Sequence, residues 1–175
     1  PIYLENDAAM GGLGEMNALL HIPKLGYYLS LGTGIGGSII VNGRLLPELK
    51  RSEPGHMMLN NGKLWSEWED IASGHAITEK FDKMAYDLKT PEEWQWVAEN
   101  IAQGLNSIIV TLLPDTIVIG GGIGRFFDQY GHFLNEKLRK RLPDYIKLPT
   151  ILEAKRADDA VIYGCYYHAT HQNHL

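Results

Sequence analysis

Apolar positions along the chain change period near its middle. From residue 94 onward Trp94, Val97, Ile101, Leu105, Ile108 and Leu112 recur every three or four residues, which lays one buried stripe along a helix. Thr90-Pro91-Glu92-Glu93 stands before them. Thr90 can cap, Pro91 suits the first turn and Glu93 closes a capping box. Pro114 lies just past the end, and Thr116 to Ile119 is a short β-branched run, as expected of a strand covered on both faces. Gly120-Gly121-Gly122 then turns the chain into a helix that buries Phe126, Phe127, Tyr130, Phe133, Leu134 and Leu138 and stops before Pro143. A strand around Ile151 and a helix from about Asp159 follow. Trp94 and Trp96 cannot share one helix face, which places Trp94 in the core and Trp96 partly outside.

The first half reads differently. A short strand, Ile2 to Leu4, leads to Asn6-Asp7 in helix-cap position and an Ala, Met and Leu-rich helix ending near His21. Tyr27 to Leu31 is a strand. Ser38 to Val41 and Arg44 to Leu46 form a hairpin, because Asn42-Gly43 supplies the positive φ angles of a type I′ turn. Strands with interleaved helices define an α/β domain with a mixed sheet flanked by helices.

Composition narrows the class. At 175 residues the chain holds one domain. Apolar residues at 45% and charged residues at 21% are ordinary globular values, and the apolar runs are strand-sized, so no membrane span is expected. The formal charge of −5 disfavours a nucleic-acid footprint. The single cysteine, Cys165, excludes an internal disulfide and a cysteine-cluster zinc site, and fits a reducing, cytoplasmic setting. It is read as a buried helix residue. Because the chain starts at Pro1 and runs at once into a strand-like segment, its natural N-terminus is expected elsewhere.

Two glycine loops carry the candidate chemistry. Gly32, Gly34 and Gly37 match the dinucleotide pattern G-x-G-x-x-G. That pattern needs a helix after the glycines, whereas Ser38 to Val41 continues as a strand. Glycines at a tight β-turn can instead aim backbone N–H groups at a phosphate, with the Thr33 hydroxyl as an added donor. A plain glycine turn is the alternative. The second loop, Gly120 to Gly124, lies between strand and helix, where its amides, those of Gly120, Gly121 and Gly122 first, can face a nucleotide or serve packing alone. Asn6 and Asp7 can likewise be simple helix caps. His168, His171 and His174 recur every three residues, but a terminal helix frays. The basic cluster Lys137, Arg139, Lys140 and Arg141 either guides a polyanion or complements a helix dipole.

Four segments together resemble the ROK family of sugar kinases and sugar-responsive repressors. They are LENDAAMGGLGE from Leu4, LGTGIGGSIIVNGRLL from Leu31, EPGH from Glu53 with WEDIASG from Trp68, and PDTIVIGGGI from Pro114. The resemblance implies an actin-like, ribonuclease-H-like ATPase lobe. It implies that Asp7 is the general base taking the proton of the attacking sugar hydroxyl, and that Asn6, Glu53, His56 and Glu69 contact a small-molecule sugar. Glu69 is chosen over Glu67 because Ala72-Ser73-Gly74 sets the register. The phosphate donor, ATP or polyphosphate with Mg2+, would lie on the two glycine loops.

Two departures from the family pattern follow. No cysteine cluster stands between His56 and Trp68, so no zinc is expected and Met57, Leu59, Leu64 and Trp65 are expected to hold that segment by packing, as in the zinc-free branch that includes polyphosphate glucokinases. The family's D-x-G-x-T phosphate motif is also missing. An N-terminal lobe of roughly a hundred residues is therefore expected outside this chain, leaving the isolated lobe inactive. The resemblance implies a hexose kinase, glucokinase-like and homodimeric. A repressor's sugar-sensing domain is the alternative.

Overall fold

A computed structural model describes residues 4–60, 62, 64–156 and 159–171. The first strand expected from the sequence falls mostly on residues 1–3, outside that range. In chain order the elements are α1 (Asp7–Asn17), β1 (Leu25–Leu31), β2 (Ile35–Val41), β3 (Arg44–Leu45), a 3-10 turn (Pro54–His56), β4 (Met58–Asn60), β5 (Trp65–Glu67), α2 (Trp68–Ala72), α3 (Gly74–Phe81) and a second 3-10 turn (Ala85–Asp87). They continue with α4 (Pro91–Leu112), β6 (Thr116–Gly120), α5 (Gly121–Gly124), α6 (Phe127–Arg141), β7 (Thr150–Glu153) and α7 (Ala160–His171).

Five strands form one sheet in the order β3-β2-β1-β6-β7. β1 pairs antiparallel with β2 and parallel with β6, and β6 is parallel to β7. Side chains alternate across the pleat. Tyr27, Leu29 and Leu31 with Ile117 and Ile119 face one core, against Trp94, Ile101, Leu105 and Tyr130 from α4 and α6. Tyr28 and Val118 face the other, against Ala9, Leu13 and Met16 of α1. The sheet is thus covered on both faces, as the apolar runs in β1 and β6 require.

The capping box forms as read: the amide of Glu93 donates to Thr90 Oγ1 and the amide of Thr90 to Glu93 Oε2. Asn42 and Gly43 take φ of 49° and 75°, as the hairpin turn requires. Trp94 is buried and Trp96 half-buried.

Several expectations change. α1 ends at Asn17, short of His21, because Asn17 Nδ2 donates to the carbonyls of both Leu13 and Gly43 and so ties the helix end to the β2–β3 turn. β2 begins at Ile35, so Gly36 and Gly37 belong to a strand and the first glycine turn is only Gly32 to Gly34. Leu64 and Trp65 are exposed, so their side chains do not pack into the core as expected. Met57 and Leu59 pack against the core instead, and the buried Trp68 donates its indole N–H to the Asn100 carbonyl.

Cys165 is also exposed. The buried positions of α7 are Ala160 and Gly164; a Cβ at Gly164 would overlap the carbonyl of Met10, while a Cβ at Gly14 would overlap that of Ala160. Helices α1 and α7 therefore cross backbone to backbone, and residue 165 points away from the crossing.

Candidate active site

Helix α1 starts beside the β1–β2 hairpin. Asn6 Oδ1 accepts from the amides of Ala8 and Ala9, and Asp7 Oδ1 accepts from that of Ala8. Asn6 is thus the N-cap, and Asp7 in the first turn adds a second acceptor for the Ala8 amide. Both are exposed, and among the described residues Oδ2 of Asp7 makes no hydrogen bond. Ser38 Oγ of β2 donates to the Ala8 carbonyl at 3.1 Å, and a Cβ on Gly36 would stand 3.0 Å from that of Ala8. The bare strand lets the helix end come close.

One residue earlier, at the start of β2, the amide of Ile35 donates to Glu69 Oε2 at 3.2 Å. The Glu69 carboxylate lies against Gly34 and Gly55, where added Cβ atoms would sit 2.9 and 2.8 Å from it. It therefore joins the glycine turn to the Pro54–His56 turn. The amide of Gly74 donates to the Gly32 carbonyl at 2.7 Å, which fixes the start of α3 on the same turn. Within the turn the Gly32 amide donates to the Gly34 carbonyl. Neither bond uses the amides of Thr33 and Gly34, and both residues are exposed.

His56 Nδ1 lies 2.8 Å from Glu67 Oε2 and 4.0 Å from Glu69 Oε1. The hydrogen bond to Glu67 is the main cause that raises the pKa of His56 above its ordinary 6.5, with the charges of Glu67, Glu69 and Glu53 adding to it. No cysteine cluster stands beside His56, but two carboxylates do: one donor atom each from His56, Glu67 and Glu69 lies within 4.8 Å of the others. Glu53, the residue before the turn, is exposed and makes no side-chain cap.

The second glycine turn adjoins the first. β1 and β6 are parallel, with Ser30 opposite Gly120, so both turns lie at carboxyl ends of neighbouring strands. Ligands of open α/β sheets bind there. Gly120 is buried, Gly121 has φ of 79° with its α-carbon packed on the Leu31 backbone, and Gly122 meets no atom within 4 Å of a would-be Cβ. Packing accounts for Gly120 and Gly121, whereas Gly122 borders open space.

Two carboxylates stand outside the pattern expected from the sequence. In that pattern Glu67 is only a competitor of Glu69; the Asn61-Gly62 pair is the sign in the sequence of a hairpin returning the chain to His56. Glu15 is 2% exposed and accepts from the amides of Lys155 and Arg156. A carboxylate among the small residues of α1 was its signal.

Other candidates resolve as structure. Lys137 and Arg141 pair with Glu99 of α4, and Lys140 with Glu136. His168 lies 3.6 Å from Glu5, and His171 Nδ1 stays close to Thr170 and Tyr167 of its own helix. His174 is outside the described residues. No described helix is long and apolar enough to cross a membrane.

A mixed sheet between helical layers, with two glycine turns at the ends of adjacent parallel strands and carboxylates beside them, defines an actin-like ATPase lobe. The chain belongs to the ROK family, whose model matches residues 1–172. It is 27% identical over 189 residues to a fructokinase of Lactococcus lactis subsp. cremoris, covering 95% of this chain and 64% of that protein. It is 31% identical over 141 residues to a polyphosphate glucokinase of Mycobacterium tuberculosis (strain ATCC 25618 / H37Rv), covering 78% and 46%. The crystal structure of a ROK hexokinase from Thermus thermophilus superposes with a TM-score of 0.79 at 27% identity, covering 97% of this chain and 66% of that one. The chain thus spans about half to two thirds of the length of these relatives.

Proposed function

We propose that the full-length protein carrying this chain is a hexose kinase, and that the chain supplies the sugar-facing carboxylates and one wall of the phosphate site. One observation carries the reading: the Glu69 carboxylate, hydrogen-bonded to Ile35, ties the sugar-side turn at Gly55 and His56 to the glycine turn at Gly34, while Asp7 begins the helix packed on the next residues of the same strand. Acceptor and donor groups therefore share one rigid frame.

Asp7 is the general base. Its unengaged Oδ2 accepts the proton of a sugar hydroxyl as that oxygen attacks the terminal phosphorus, and the bond from phosphorus to the donor's bridging oxygen breaks, releasing ADP or a shortened polyphosphate. Asn6, Glu53, His56 and Glu69 orient the sugar, since carboxylates accept from vicinal hydroxyls and an imidazole does either. Gly32, Thr33, Gly34 and Gly122 receive the phosphates. Gly32 is half-buried and shapes the turn, while the exposure of Thr33, Gly34 and Gly122 leaves room for a backbone cradle, which fits a polyphosphate tail. Mg2+ bound with the donor would neutralise charge on the transferring group. A second lobe, supplied by the remainder of the full-length protein, closes the other side of the cleft.

Glucose is the first acceptor to try and fructose the second. The test is a phosphotransfer screen of the full-length protein, crossing glucose, fructose and mannose with ATP and polyphosphate. Turnover is expected with at least one pair. Asp7→Asn should lower kcat at least about 100-fold while sugar binding stays measurable. Near-normal turnover in that variant would remove Asp7 from the role, and a binding-only protein would mark a sugar sensor.

A further inference from the structure

We propose that Glu67 is a positioning residue for sugar recognition: its carboxylate holds Nδ1 of His56 and thereby presents Nε2 of the ring to the sugar hydroxyls. The proposal rests on the reading of His56 as a sugar contact.

The backbone is built to bring the pair together. His56 ends a 3-10 turn and Glu67 ends β5, eleven residues later. The β4–β5 ladder sets Glu67 opposite Met58, and the amide of Trp68 donates to the Met57 carbonyl at 2.9 Å, closing the hairpin against the residue that follows His56. The amide of Glu67 donates to Asp70 Oδ2, and the buried Trp68 anchors the next position. Glu67 is thus held by its backbone on both sides, and its side chain reaches Nδ1 at 2.8 Å.

Chemistry then determines the ring. A carboxylate only accepts, so Nδ1 must carry a proton. In the neutral imidazole Nε2 is left as an acceptor for a hydroxyl, and in the charged form it becomes a donor. Among the described residues Nε2 makes no hydrogen bond, and the side chain is 59% exposed. Without the carboxylate the ring can rotate and exchange tautomers. The titratable groups facing it are Glu67, Glu69 and Glu53. Glu69 stands off at 4.0 Å and is engaged with Ile35, so Glu67 alone is in position to hold Nδ1.

The experiment uses imidazole nitrogen NMR on the full-length protein, titrated with glucose and with fructose. In the wild type His56 should show the Nδ1–H tautomer and a sugar-dependent shift at Nε2. Glu67→Ala should mix the tautomers, lower the His56 pKa and weaken sugar binding about tenfold, the range typical of outer partners that orient a ligand histidine. kcat should change less than about twofold. Glu67→Gln keeps an acceptor without the charge, so it should restore the tautomer and most of the affinity but not the pKa.

Unchanged His56 signals in Glu67→Ala would overturn the proposal, as would altered signals with unaltered sugar affinity. Stoichiometric Zn2+ uptake abolished by Glu67→Ala, with sugar affinity unmoved, would overturn it in favour of a cation site. Sugar binding is read without turnover. A protein that binds sugar through His56 yet transfers no phosphate would therefore defeat the kinase reading and leave this one standing.

Discussion

Glu69 holds two turns together at the place proposed for the sugar. Its carboxylate is the partner of the Ile35 amide, in a residue that is itself buried. Truncation strands that donor, whereas an amide side chain still accepts from it. Glu69→Ala is expected to cost about 1–3 kcal/mol, and Glu69→Gln much less, read as the shift in denaturant midpoint. Both variants should weaken sugar binding. Asn6 and Asp7 have the same double character, because their cap bonds leave one oxygen of Asp7 unengaged. The residue types and the order of these groups can be read in the sequence. The links between them were not. The bond from Ile35 to Glu69 spans 34 residues and depends on Gly34 and Gly55 leaving room for a carboxylate, a property of three dimensions that no spacing encodes.

At the scale of elements, legibility followed local chemistry. α4 was readable because a capping box, a proline and a regular stripe agree, and the β2–β3 turn because Asn42-Gly43 prescribes its conformation. Between residues 54 and 88 the elements are short, three to eight residues, and tertiary packing sets them more than propensity does. The limits of α1 and β2 likewise moved where tertiary bonds overrode pattern.

The start of α4 gives an acid-dependent test. The hydrogen bond from Lys83, joined by the amides of Thr90 and Lys89, holds Glu93 down from its ordinary 4.5 to about 2. A carboxylate with a depressed native pKa binds fewer protons folded than unfolded, so its stabilisation is present above about 4.5 and is lost as pH falls toward 2. Melting temperatures between those limits should fall more steeply in the wild type than in Glu93→Gln.

Across the whole molecule the two faces of the sheet are built differently. One is filled by large side chains under α4 and α6, with Trp94 stacked on Tyr130. On the other, α1 and α7 meet through Gly14 and Gly164. A methyl group added there has nowhere to go, so Gly164→Ala is expected to cost about 1–3 kcal/mol, measured by thermal unfolding. The loss should reach the site, because α1 carries Asp7 at one end and Glu15, pinned to the Lys155 and Arg156 amides, near the other.

The turn after β6 has a consequence for mutational tolerance. Gly120, Gly121 and Gly122 are the same letter three times, yet each has a different neighbour: the Tyr28 hydroxyl, the Leu31 backbone and open space. A saturation scan should separate them sharply. Position 122 should accept small and polar side chains and report only on the phosphate donor. Position 121 should accept none, because any replacement pushes on the end of β1 and so misplaces the neighbouring turn as well. Variation is therefore closed at one of these glycines and open at the next, so on the proposed reading position 122 is where donor preference can drift without the fold registering the change.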